Sequence, residues 1–292
     1  MLSRRGFLVA GASTVLVGAG VAAGVATDVL PGRGWALRHL GLVGEPGVVP
    51  DDVPGPRHDA TFTSAARGTD VAWTVAYPPG STPGDTLGVC VVLHGKGGDH
   101  TSAFDTGLHL DRYLAAAVAA GTPAFALASV DGGNGYWHPR ASGDDAGAMV
   151  LDELVPRLAE LGLATDRIGF LGWSMGGYGA LRLGALRGAG TAAVVAESPA
   201  LWEDAADTAP GAFDDAEDFA EHDVMGHQAD LAGAPVRVDC GTADPFAPAT
   251  RAYRDGFATP PAGGFEPGEH TNDYWRRMAP AQLTFLGRHL AG

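Results

Sequence analysis

The chain carries a serine set among glycines, Gly172-Trp173-Ser174-Met175-Gly176-Gly177-Tyr178-Gly179-Ala180, directly after a short apolar run at 168–171. A serine hydroxyl is a weak nucleophile until a base takes its proton, and the carbonyl it attacks needs donors for the charge that develops. Small residues two positions to either side suit a sharp strand-to-helix turn, where backbone segments approach closely and side chains would collide. Gly172 and Gly176 meet that demand. The residues beyond place Leu181, Ala185 and Leu186 on one helical stripe, so strand, turn and helix follow in the order a nucleophile elbow requires.

A base and a carboxylate must then come from farther along the chain. Of ten histidines, His270 stands in a polar loop, 265–272, between a short strand-like pair and the closing helical stretch. His289 falls near the end of that stretch, where interaction with helix carbonyls is its simpler role. The carboxylate is expected from Asp244, in the turn after the strand-like run 236–240. Asp239 lies inside that run, where its side chain would face a covered side of a sheet, and Asp255 lies on a helix. For the oxyanion, the run ending at Leu93 leads into His94-Gly95-Lys96-Gly97-Gly98. The backbone N–H of Met175 is the first expected donor and that of Lys96 the second, with Gly97 as the alternative. Gly95, Gly97, Trp137, His138 and Trp173 are the expected substrate-binding residues, since the loop 131–140 also leaves a strand end. The chain shows no H-E-x-x-H, EF-hand or phosphate-loop pattern, so neither a metal nor a cofactor is expected.

These residues need a frame to hold them. Apolar runs at 87–93, 124–130, 168–171, 192–196 and 236–240 alternate with helical stretches, among them 110–120, 146–161 and 274–290. That alternation is the pattern of an α/β protein whose parallel sheet is covered on both faces and binds ligands beyond its strand ends. Two earlier strands, 60–64 and 71–77, flank a turn and form an opening hairpin. Residues 202–230 are strongly acidic and read either as a solvated excursion or as a lid over the site. Cys90 and Cys240 sit in apolar runs and read as buried thiols, with a disulfide as the alternative.

The formal net charge of −15 argues against nucleic acid and against docking to anionic lipid through a basic patch. The catalytic domain is expected at 57–292, after a Pro- and Gly-rich linker or arm at 28–56. Residues 1–27 open with Ser3-Arg4-Arg5-Gly6-Phe7-Leu8 and then stay uncharged. They resemble a twin-arginine export signal, which implies passage through that machinery to the envelope or beyond; a retained membrane anchor is the alternative.

From about Asp59 to Leu290 the chain resembles the esterase family that includes the S-formylglutathione hydrolases (esterase D), secreted feruloyl esterases and mycobacterial mycolyltransferases. The likeness rests on His94-Gly95-Lys96-Gly97, Gly172-Trp173-Ser174-Met175-Gly176-Gly177-Tyr178-Gly179-Ala180, the Asp244 loop and Gly268-Glu269-His270. It implies an α/β-hydrolase fold, with a mostly parallel central sheet and helices on both faces. By the same likeness Ser174 is the nucleophile, His270 the base and then the acid, Asp244 its orienter, and Lys96 and Met175 the oxyanion donors. The implied reaction is hydrolysis of a small-molecule, lipid or carbohydrate ester. An acyltransferase, or a non-catalytic envelope protein on the same fold, is the alternative. The mycolyltransferases carry Glu where Asp244 stands and Asp where His94 stands, which sets this chain apart from them.

Overall fold

In the computed structural model, which describes residues 41, 43–105 and 107–291, the opening hairpin pairs β1 (Arg57–Ser64) with β2 (Thr69–Ala76) antiparallel. The chain divides into residues 1–44 and 45–292. The export-like segment 1–27 and the start of the expected linker, 28–40, lie outside the described residues. The remaining strands are β3 (Gly88–Leu93), β4 (Phe125–Val130), β5 (Ala164–Trp173), β6 (Thr191–Glu197), β7 (Val236–Gly241) and β8 (Phe265–Glu266). They form one sheet in the order β1-β2-β4-β3-β5-β6-β7-β8. From β4 onward every neighbour is parallel, so the carboxyl ends of β3, β5 and β7 share one rim.

The apolar runs are continuous because both faces of the sheet are covered. Along β3 the side chains alternate. Val89, Val91 and Leu93 join a core with Phe170 and Val194, while Cys90 and Val92 join another with Leu171 and Val195. The first core is closed by α2, which runs through Ala146–Ala148, a π-helical turn Met149–Leu154 and Val155–Glu160, and by α3 (Met175–Arg187). The second is closed by α1 (Leu110–Ala119) and α6 (Asn272–Leu290). Each fully buried Leu or Val in these layers stabilises the fold by roughly 1.5–3 kcal/mol. The shorter helices α4 (Ala216–His222) and α5 (Ala247–Asp255) flank β7 in sequence.

Residues 45–56 lie along the domain. Gly47 N–H donates to Asp273 O at 2.8 Å, and the Tyr113 hydroxyl donates to Val48 O at 2.8 Å. Cys90 and Cys240 are buried free thiols. Among the described residues, no helix is long and apolar enough to cross a membrane.

Candidate active site

Ser174 stands alone between β5 and α3 with φ 55° and ψ −120°, a left-handed backbone that a side-chain-bearing residue adopts only when its surroundings hold it there. Its N–H donates to Glu197 O and its carbonyl accepts from Ala200 N–H, both at 3.0 Å. The flanking glycines are steric requirements. A Cβ at Gly172 would lie 2.1 Å from Gly176 O, and one at Gly176 would lie 1.9 Å from Leu93 O. The elbow is therefore pressed against both β3 and its own helix.

The carboxylate and the imidazole arrive on two loops that are joined by backbone hydrogen bonds. β8 pairs with the end of β7, and Thr242 N–H donates to Glu266 O, Ala243 N–H to Gly268 O, each at 2.8 Å. Asp244 is buried; its Oδ1 accepts Phe246 N–H at 2.9 Å and its Oδ2 faces His270 Nδ1 at 2.8 Å. On the other side of the ring, His270 Nε2 lies 2.9 Å from Ser174 Oγ. Trp275 meets the His270 ring edge-on at 4.9 Å and Phe246 meets it at 5.3 Å, limiting its rotation. With Nδ1–H donated to Asp244, Nε2 offers a lone pair to the serine proton. The rival Asp239 is bound instead by Arg237, at 2.7 and 2.9 Å, and by the Gln282 amide at 3.0 Å. His289 contacts Phe285 near the end of α6.

The loop after β3 is set by a buried imidazole. Gly132 N–H donates to His94 Nε2 at 3.0 Å, so the ring's proton sits on Nδ1 and is donated to Gly95 O at 2.8 Å. Burial pushes the His94 pKa down, which keeps the ring neutral in that tautomer. Gly97 N–H is taken by Asn134 Oδ1 at 2.6 Å, which leaves Lys96 as the better placed of the two expected loop donors. The Lys96 ammonium group donates to Pro210 O at 2.9 Å, tying this loop to the acidic segment. A cleft of about 350 Å³ is lined by Gly95, Lys96, Gly97 and Trp173 together with Ser174 and His270.

No protein-family model and no curated protein matches the chain. Solved structures do. A ferulic acid esterase superposes with a TM-score of 0.70 at 21% identity, covering 82% of this chain and 99% of its own. An S-formylglutathione hydrolase from Agrobacterium tumefaciens gives 0.69 at 16% identity, covering 81% and 96%. A fluorophosphonate-binding serine hydrolase of Staphylococcus aureus gives 0.64 at 20%, covering 80% and 99%. The protein has the α/β-hydrolase fold.

Within this α/β-hydrolase fold two expected pocket residues sit elsewhere. Trp137 is fully buried, its ring packed against Gly132, Gly179 and His94. His138 is also buried, stacked on Phe213 at 5.0 Å and on His222 at 4.9 Å. The loop touches the cleft at Asn134 and then turns into the core, with Tyr136 and Trp137 at φ of 58° and 59°. Sequence reasoning passed over Asn134 and Trp275, which carry no motif. It also passed over Glu197, whose carboxyl is buried beneath the elbow and accepts from the Gln282 amide. Burial and the neighbouring Asp239 charge raise the Glu197 pKa well above the ordinary carboxylate range.

Proposed function

We propose that the protein is a serine esterase. The observation that carries this reading is the unbroken chain Asp244 Oδ2, His270 Nδ1, His270 Nε2 and Ser174 Oγ, with gaps of 2.8 and 2.9 Å. Ser174 Oγ attacks the ester carbonyl while His270 Nε2 takes its proton. The resulting oxyanion accepts from the N–H groups of Met175 and Lys96. Collapse expels the alcohol, which leaves with the proton held by His270. Water then gives a proton to His270 and attacks the acyl-Ser174 carbonyl, and collapse returns that proton to Ser174 and frees the acid. Asp244 holds the ring orientation and stabilises the imidazolium throughout.

The likeness to a ferulic acid esterase and an S-formylglutathione hydrolase supports ester chemistry on this frame. The compact cleft, with Trp173 and Trp275 in its wall, favours a short or aromatic acyl group. The acidic segment 202–230 acts as a cap at the cleft's edge, a reading supported by the Lys96 bond to Pro210 and by Arg140 paired with Asp214 at 2.7 Å. Arg4-Arg5 and the uncharged stretch behind them support export.

Hydrolysis of p-nitrophenyl esters of increasing chain length tests the proposal. Wild type should turn over the short esters fastest, and Ser174→Ala should fall to the buffer rate. Hydrolysis should outrun transfer to added glycerol or sugar. Activity retained by Ser174→Ala would overturn the assignment.

A further inference from the structure

Away from Ser174, two imidazoles and a carboxylate from separate segments meet where the acidic cap joins the domain. His138 belongs to the loop after β4, whereas Asp218 and His222 stand one turn apart on α4. Asp218 Oδ1 lies 2.9 Å from His222 Nδ1 and 3.6 Å from His138 Nδ1, and one ligand atom from each residue falls within 4.8 Å of the others. Asp218 Oδ2 is already engaged, accepting Asp214 N–H at 2.7 Å. Oδ1 is therefore the oxygen turned to the rings.

The cluster has fewer protons than its geometry demands. A neutral imidazole carries a single N–H. His138 Nε2 faces Ala212 O at 3.0 Å, and His138 Nδ1 faces Pro139 O at 2.9 Å as well as the Asp218 carboxylate. One ring nitrogen must then point a lone pair at oxygen, unless the ring is charged. The ring is buried, and the Arg140 guanidinium lies 3.5 Å from its Nε2. His222 Nδ1 likewise faces two oxygens of Asp218, the backbone carbonyl at 3.0 Å and the carboxylate. With Nε2–H donated to Ala212 O, His138 Nδ1 turns a lone pair toward Asp218 Oδ1, the position of a metal ligand.

We propose that His138 Nδ1, His222 Nδ1 and Asp218 Oδ1 bind a divalent transition-metal ion of the zinc type. Imidazole nitrogen and carboxylate oxygen are zinc ligands, and three of them leave a fourth position for water. Metal–ligand bonds of about 2.0–2.1 Å set neighbouring ligand atoms of a tetrahedral site roughly 3.3 Å apart. The two contacts to Asp218, at 3.6 and 2.9 Å, straddle that spacing, and the third pair lies within 4.8 Å. The ion fastens the cap to the loop after β4. The Tyr178 hydroxyl donates to His222 O at 2.6 Å, so the same point is tied to α3, the helix that begins at the elbow. The site does not depend on the esterase reading.

Its test uses the full chain, stripped with a chelator, desalted and titrated with Zn²⁺ by calorimetry while the unfolding temperature is followed. One equivalent should bind and raise the unfolding temperature. His222→Ala and Asp218→Asn each remove a direct ligand and should weaken binding by at least roughly 100-fold, since even loss of an outer partner costs a metal site about 10–100-fold. His227→Ala, altering an exposed histidine beside Asp230, should bind as wild type does. Stripped wild type that takes up no zinc overturns the proposal without recourse to any variant. Equal binding by the His222→Ala and His227→Ala proteins would also overturn it.

Discussion

The elbow around Ser174 and the acidic segment 202–230, which we propose as a cap, are neighbours held by different physics. At the elbow, backbone presses on backbone: Gly172 and Gly176 sit where any Cβ would overlap a carbonyl group. The cap is fastened by polar contacts, with Arg140 reaching Asp214 and Ala212 O, and Lys96 reaching Pro210 O. Steric packing tolerates no substitution, whereas partly exposed ion pairs contribute about 1 kcal/mol or less each. Changes at the elbow should therefore cost several times more than changes in the cap.

The largest effect expected is on chemistry. Ser174→Ala or His270→Ala should lower kcat by roughly 10⁴–10⁶-fold, as loss of a triad member does, with the unfolding temperature little changed. Gly176→Ala comes next. Forcing a methyl against Leu93 O should destabilise the domain by about 3 kcal/mol in urea unfolding, while Leu186→Ala, at a side chain 60% exposed on the same helix, should stay within about 0.5 kcal/mol. Equal losses at the two positions would break the contrast.

Glu197 sharpens it on the elbow side. The folded protein keeps this carboxyl protonated above the ordinary value of 4.5, whereas the unfolded chain releases the proton there. The native state then binds more protons, so this group's contribution to stability falls as pH rises above 4.5 toward its folded pKa. Glu197→Gln should remove that fall, making the variant relatively more stable at pH 8 than at pH 5 in denaturant titrations. The smallest effect belongs to the cap. Arg140→Ala should cost about 1 kcal/mol and raise KM more than it lowers kcat. A loss as large as that of Gly176→Ala would show the cap to be as rigidly built as the elbow.

What could be read from the sequence follows the same divide. The elbow was legible because its requirements are local, packed into Gly172-Trp173-Ser174-Met175-Gly176, and Asp244 and His270 followed from strand ends and chain order. The alternating apolar runs foretold the strands of the sheet and both of its covered faces. Trp137 and His138 were misplaced because the positive φ at 136 and 137 is imposed by tertiary packing, which no residue type there announces. The π-helical turn in α2 was equally silent. His138, Asp218 and His222 come together only through the fold, since 80 residues of chain separate the first from the second. The tie from Lys96 to Pro210 was hidden for the same reason.

The central claim is that Ser174 is an activated nucleophile, and a fluorophosphonate probe tests it most directly. Intact mass followed by peptide mapping should find one adduct, on Ser174, with labelling lost in Ser174→Ala and strongly slowed in His270→Ala. A folded wild-type protein that takes no label, or carries it on another residue, would contradict the account.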